Sequence, residues 1–288
     1  MIVRNLRVDC NNSDIIPTKE TIRYRMRMCV KNVSAKGVTP SLVPKRFILG
    51  ISGASGVKLA KGFLRHIAQD FEVHIIISKG ALECAKYELK CDENELKAYL
   101  LESCQTHSQI KSTKQSSQTI HAKLSQTKAK SNSTTLSKCI NIDSAQNPTS
   151  QSPASKDYKV CIYEDSEIGA PVASGSFEAQ AMAIIPTSMD CLAKISCGIS
   201  DTLLTRAASV MIKERRTLLL APREMPLNAI VCEQMQKLAT LGVIIAPPII
   251  AYYSYPKDLE EMENFIYGKW LDILGIPNTL FTRWGEFK

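Results

Sequence analysis

FILGISGASGVKLAKGFLRHIAQDFEVHIIISKG, residues 47–80, decides the fold. An apolar, β-rich run from Phe47 to Ile51 enters a turn with glycines at 50, 53 and 56. A helical pattern follows, with Val57, Leu59, Ala60, Phe63, Leu64 and Ile67 on its apolar positions. Phe71 to Ile77 then reads as a second buried strand. Glycines suit a sharp backbone turn where a phosphate must approach N–H groups at a helix start. A nicotinamide-binding unit would carry Asp or Glu at the end of the second strand, to hold the ribose. Ser78 stands there, while Asp70 and Glu72 lie at the other end of the strand. The loop therefore points to a phosphate or a flavin more than to NAD. A glycine turn before a helix serves equally to pack helix on strand, and the stretch alone does not separate the two readings.

Working outward, apolar strands are expected at Val160 to Tyr163, Ala181 to Ile185, Thr217 to Ala221 and Val243 to Ala246. Helical patterns lie between and after them, near 188–196, 200–215, 226–241 and 257–274. Short apolar strands alternating with helices predict an α/β fold: a Rossmann-like three-layer sandwich with a mostly parallel sheet. Ligands in such sheets sit beyond the carboxyl ends of the strands. One domain is expected over residues 46–288, interrupted by a low-complexity insertion at about 102–157. Within it Gln105 to Lys156 is rich in Ser, Thr, Gln, Lys and Asn and has no aromatic residue, so disorder is expected there. Glu95 to Leu101 reads as the end of a helix before it. Residues 1–45 read as a loosely ordered extension, or as translation from an upstream start codon.

The net charge of +8 over 288 residues is uneven. Residues 1–46 hold +7 and residues 102–158 hold +4, which leaves the rest at −3. The basic balance thus belongs to the appendages, and the lysines of the insertion have no interleaved aromatics, so nucleic-acid binding is not expected. The ten cysteines include no C-x-x-C pair, and the four histidines (66, 74, 107 and 121) show no ligand spacing. No metal site is expected. Scattered free thiols fit a reducing cytoplasm. No apolar run is long enough to span a membrane, and Asp9, Asp14 and Glu20 count against reading the early arginines as a transit peptide.

Chemistry-bearing residues gather in the strand-end segments. Pro186-Thr187-Ser188-Met189-Asp190-Cys191 offers hydroxyls and N–H groups at a helix start. Arg206 lies in an apolar helix, with Lys213 two turns on along the same face; Arg223-Glu224 follows a strand. Taken singly, Arg206 and Lys213 also read as a solvated helix face, and Trp284 as a tail packed on the core. Together, GISGASG (50–56), ISKGA (77–81), ASGSF (173–177), LLTRAA (203–208), KERR (213–216), APREMPL (221–227), AYYSYP (251–256) and RWGE (283–286) resemble the UbiX-type flavin prenyltransferases. The likeness covers 46–90 and 160–286 and leaves out the extension and the insertion.

That resemblance implies transfer of a dimethylallyl group from dimethylallyl monophosphate to N5 and C6 of reduced FMN, without a metal. The product, prenylated FMN, would serve a UbiD-type decarboxylase. It implies FMN contacts at Gly53, Ala54, Ser55, Ser78, Ser188, Met189, Asp190, Cys191 and Arg206. Phosphate contacts are implied at Lys213, Arg223, Tyr253 and Lys269, where many relatives have arginine at the last position. Glu224 is implied in proton transfer, flanked by Lys213 and Arg223. Trp284 would offer its π face to allyl cation character. A homo-oligomer, commonly a dodecamer with shared sites, is also implied. Two alternatives remain: a non-catalytic FMN carrier, and a flavin-dependent decarboxylase of a cysteine-containing substrate. The decarboxylase would need a histidine base and an Asn-rich loop.

Overall fold

The computed structural model describes residues 45–104, 138–142 and 158–285, all within one compact unit, Pro44–Lys288. Its strands are β1 (Arg46–Ile51), β2 (Glu72–Ile77), β3 (Lys138–Ile142), β4 (Tyr158–Glu164), β5 (Ala179–Thr187), β6 (Thr217–Pro222) and β7 (Ile244–Ile245). They form one sheet in the order β3-β4-β2-β1-β5-β6-β7, and only the β3–β4 pair is antiparallel. The helices are α1 (Val57–Ile67), α2 (Lys79–Glu88), α3 (Glu93–Glu102), α4 (Met189–Ser196), α5 (Leu203–Lys213), α6 (Ala229–Thr240) and α7 (Leu259–Ile273).

Local chemistry explains the boundaries. Among the described residues, six helices begin behind Ser78, Asp92, Ser188, Thr202, Asn228 and Asp258, each accepting an N–H of the first turn. Such a cap is worth about 1 kcal/mol. The exception is α1, which starts after Gly56 at φ 107°, a left-handed backbone that favours glycine. Its predicted stripe is the face it buries: Val57, Ala60, Phe63, Leu64 and Ile67.

The sheet separates two apolar layers. One packs α1, α2, α3 and α7 around Phe47, Phe63, Tyr267 and Trp270; the other packs α4, α5 and α6 around Ile48, Met182 and Leu204. From β1 the chain crosses to β2 on one side, and from β5 to β6 on the other. The loops after β1 and β5 therefore part at a topological switch point, where open α/β sheets bind ligands.

Two expectations need correction. Part of the insertion is a strand: Lys138–Ile142 alternates apolar residues, and its backbone finds partners on the edge of β4. The rest of the segment expected to be disordered, 105–137 and 143–156, lies outside the described residues, as do residues 1–44. Nor are all cysteines free. Register sets Cys139 opposite Cys161, and the two form a disulfide.

Trp270 is 2 % exposed, stacks edge-on against Phe63 and donates its indole N–H to the Ala246 carbonyl at 2.9 Å. Trp270→Ala is expected to lower unfolding free energy by about 3–5 kcal/mol. The urea midpoint checks it.

Candidate active site

Ser52 joins the two loops of the switch point. Its hydroxyl donates to the Pro186 carbonyl at 2.9 Å and accepts the Ser188 N–H at 2.7 Å, while its own N–H donates to the same carbonyl at 3.2 Å. Beside it, a Cβ on Gly53 would lie 2.8 Å from Gly80 Cα, so two backbones meet where no side chain fits. The Ser78 N–H donates to the Ile51 carbonyl at 3.0 Å. Arg223 hangs on the same frame, its N–H donating to the Thr187 carbonyl at 3.2 Å. Thr187, fully buried, accepts the Ala221 N–H on its hydroxyl at 3.0 Å. Segments 52–55, 78–80, 187–191 and 223–224 thus converge at one edge.

Two helix starts, α2 and α4, open onto this edge. The Ser78 and Ser188 oxygens accept the N–H groups of Ala81 and Cys191, at 3.1 and 3.2 Å. Each hydroxyl still has its own proton to donate. The start of α1 behaves otherwise: Glu88 accepts the Gly56 N–H at 2.9 Å and the Val57 N–H at 3.2 Å. The two N–H groups at that helix start are already engaged by a carboxylate of the chain itself. Amide donors for an anion therefore come from α2 and α4, whose N-termini carry the positive end of the helix dipole. Cys191 is buried, and burial together with Asp165 and Asp190 pushes its thiol up to about 12. It is an inert thiol at neutral pH.

A second group assembles at the same edge. Tyr253, in the turn Tyr252–Ser254 after β7, meets Trp284 edge to face at 5.1 Å and Phe265 at 5.7 Å. Arg283 fixes the tail that carries Trp284, donating to both Asp272 oxygens at 2.8 and 2.9 Å. That bond holds the Asp272 carboxyl below its usual range. Gly268 lets the tail lie against α7, since a Cβ there would meet the Phe281 ring at 2.4 Å. Lys269 is exposed on α7.

Lys213 does not join them. It ends α5 at the opposite edge of the sheet, bound to Glu214 at 2.9 Å and close to Gly175. Arg216 is anchored there on the carbonyls of Gly175 and Phe177. The six residues of β6 separate Lys213 from Arg223 and Glu224, a span of about 20 Å. The expectation that Lys213 flanks Glu224 fails within one chain. Helical spacing puts Arg206 and Lys213 on one face, and both are exposed on α5. Arg223 and Glu224 are exposed as well, the Glu224 carboxylate accepting the Met225 N–H at 3.0 Å.

Sequence reasoning missed Ser52, Glu88 and Asp272. Ser52 is legible only as a polar residue within the glycine turn; the other two emerge only from the packed chain. A cavity of about 270 Å³ lies elsewhere, between α4, α5 and α6, lined in part by Cys197, Ser209 and Lys237. It is lined by none of the predicted site residues. Among the described residues, the decarboxylase alternative finds no histidine at this edge: His66 lies on α1 against Tyr267, and His74 is buried in β2, where burial lowers it to about 4. His107 and His121 lie outside the described residues.

An α/β sheet with a glycine cradle and two serine-capped helix starts at its switch point places the chain in the class of α/β proteins built to hold a phosphate-bearing ligand. The Flavoprotein family model matches residues 38–266. The flavin prenyltransferase UbiX of Helicobacter pylori is 38% identical over 240 residues, 83% of this chain and 98% of the relative. That of Methanocaldococcus jannaschii is 35% identical with the same coverage. The mitochondrial flavin prenyltransferase PAD1 of Saccharomyces cerevisiae is 31% identical over 90% of this chain and 82% of its own. Among solved structures, AnUbiX (PadA1) in complex with FMN and dimethylallyl pyrophosphate aligns with a TM-score of 0.61 and 26% identity, over 85% of this chain and all of that one. A dodecameric FMN-dependent UbiX-like decarboxylase from Escherichia coli O157:H7 aligns at 0.57 and 26% identity, over 81% and 96%. The chain belongs to the UbiX flavin prenyltransferase family.

Gly53→Ala forces a Cβ against the Gly80 backbone. It is expected to cost about 1–3 kcal/mol of stability and to weaken flavin binding, read by urea titration and flavin fluorescence quenching. Unchanged stability and binding would contradict the cradle.

Proposed function

We propose that the protein transfers a dimethylallyl group from dimethylallyl monophosphate to reduced FMN. FMN is a substrate here and supplies the nucleophilic N5 and C6. The allylic C–O bond breaks, inorganic phosphate leaves, and the five-carbon unit closes a fourth ring on the flavin. One observation carries the reading: Arg223 and Glu224 hang on Thr187, next to the Ser52–Ser188 junction where the flavin loops converge. Gly53, Ala54, Ser55, Ser78 and residues Ser188, Met189, Asp190 and Cys191 hold the flavin. Backbone N–H groups at α2 and α4 do more of this work than side chains.

Arg223 stabilises the leaving phosphate, joined by Tyr253 and Lys269. A preorganised donor in a dry site is worth roughly 3–4 kcal/mol. Lys269 keeps the charge of the arginine common among relatives but not its fork. Glu224 takes a proton from the flavin and returns one to the departing phosphate. Trp284, held by the Arg283–Asp272 clamp and Tyr253, presents its ring to the allyl carbon as positive charge grows.

Lys213 and Arg206 enter from a neighbouring copy. Both are exposed, and Lys213 is too far along β6 to reach Arg223 of its own chain. An exposed apolar surface surrounds the site: Met225, Ile230, Ile249, Tyr252, Tyr255 and Trp284, of which Met225 is 88 % exposed. A surface of this kind is ordinarily covered by a partner. A closed homo-oligomer such as a dodecamer would cover it, with each site shared between copies. Among the described residues, no helix is long and apolar enough to cross a membrane. We place the enzyme in the cytoplasm and its product in a UbiD-type decarboxylase.

The test is incubation with reduced FMN and dimethylallyl monophosphate or diphosphate under anaerobic conditions, followed by mass spectrometry of the flavin. The expected product gains one C5H8 unit, with the monophosphate as the better donor. Glu224→Gln should bind FMN and turn over at least about a hundredfold more slowly. Bound but unmodified flavin from the wild-type protein would favour the carrier reading.

A further inference from the structure

At the amino end of β2, away from the flavin edge, register lines up three donor residues on one face of the sheet. Cys139 on β3 pairs with Cys161 on β4, and Cys161 pairs with His74 on β2. Glu72, two residues before His74, points to the same side. Donor atoms of Glu72, His74 and Cys161 all lie within 4.8 Å of one another. The fourth donor, Cys139 Sγ, is bonded to Cys161 Sγ. The sequence inventory hid this cluster because its members come from three strands and share no spacing.

His74 makes the cluster unusual. The residue is 3 % exposed, and its Nε2 is buried without a hydrogen-bond partner. Its Nδ1 is 2.9 Å from the Tyr163 hydroxyl, and the ring is enclosed by Tyr163 and Phe177. Without a metal, Nε2–H can turn toward Glu72, 3.4 Å away, with Tyr163 donating to Nδ1; in the tautomer that a metal ligand needs, Nδ1–H donates to Tyr163 and the Nε2 lone pair is free. A hydroxyl that fixes one ring nitrogen while the other faces a carboxylate and the Cys161 sulfur is the outer support a metal-bound histidine needs.

We infer that the reduced protein binds one zinc-class divalent cation through Cys139, Cys161, His74 Nε2 and the Glu72 carboxylate. Two thiolates, an imidazole and a carboxylate form a closed tetrahedral set of the structural kind. Donor atoms in such a set lie roughly 3.3–3.8 Å apart, so Glu72, His74 and Cys161 draw in from within 4.8 Å while the two sulfurs move apart once their bond is reduced. Two thiolates and a carboxylate against a divalent cation leave one negative charge. Lys159 Nζ at 2.8 Å and Arg46 Nε at 3.2 Å from the Glu72 oxygens offset it. Cys139 is exposed and gives the ion a way in. The disulfide and the metal exclude each other. Reduction breaks the S–S bond and yields two thiols: a dithiol supplies two electrons and two protons and becomes a disulfide, whereas a phosphine supplies two electrons, takes oxygen from water as its oxide and leaves the water protons to the thiols. Both thiols lose their protons to solvent as the cation binds. The site would fasten the strand contributed by the insertion to the sheet.

Cobalt(II) is the probe. Full-length protein, reduced with a phosphine and stripped by a chelator, is titrated with Co²⁺ and then with Zn²⁺. One equivalent should give thiolate-to-cobalt charge-transfer and tetrahedral d–d bands, which zinc then abolishes. Cys139→Ser, at an exposed position, should weaken binding at least roughly tenfold, as should His74→Gln in folded protein, whereas Cys232→Ser should change nothing. Absence of these bands in reduced wild-type protein would overturn the inference. So would equal affinity in Cys139→Ser, or bands lost in Cys232→Ser.

Discussion

The site depends on one buried hydroxyl. Ser52 is 2 % exposed and bonds across from the end of β1 to the loop after β5, as donor to Pro186 and acceptor from Ser188. β1 and β5 are the two strands from which the chain departs in opposite directions, so their loops would otherwise splay apart. With Ser52 closing the junction, the glycine turn is held against Gly80, and α4 starts at a fixed angle beside it. Arg223 is then placed by its own backbone bond to Thr187. A flexible arginine and glutamate thus begin from a rigid frame, which preorganised electrostatic catalysis requires.

The same frame is the reason we propose a site shared between copies. Positive charge suited to an allylic phosphate is split between the two ends of β6: Arg223 at the carboxyl end, Lys213 at the amino end. Glu214 holds Lys213 in the single chain, and that ion pair keeps the Glu214 carboxyl below its usual range. So exposed a pair contributes little to stability, and it can yield to a stronger anion across an interface. The apolar side chains standing out around Met225 and Tyr252 supply the area that would hold such an interface together.

Much of this was legible in the sequence. Most strand and helix positions followed from periodicity because the parallel strands are largely apolar and the helices from α4 to α7 each bury an apolar stripe. The glycine turn and Ser78 pointed to the edge where we propose that the flavin binds. Helix α2 escaped because Lys79–Glu88 buries only Ala81 and Ala85, too thin a stripe to read. Glu88 at the start of α1, the Arg283–Asp272 clamp and the Cys139–Cys161–His74 row depend on residues brought together by the fold. Linear order also misled: KERR and PRE stand close in sequence, yet a strand runs between them and carries their charges apart. Motif proximity measures chain length, whereas chemistry needs distance in space.

That separation gives the account its most direct test. Lys213→Ala and Glu224→Gln chains, each expected to be inactive alone, are co-expressed with different tags, and mixed assemblies are purified through both. If each site draws Lys213 from one copy and Glu224 from another, random mixing restores roughly a quarter of the sites and a matching share of prenyl transfer. Mixed assemblies as inactive as either parent would contradict a shared site.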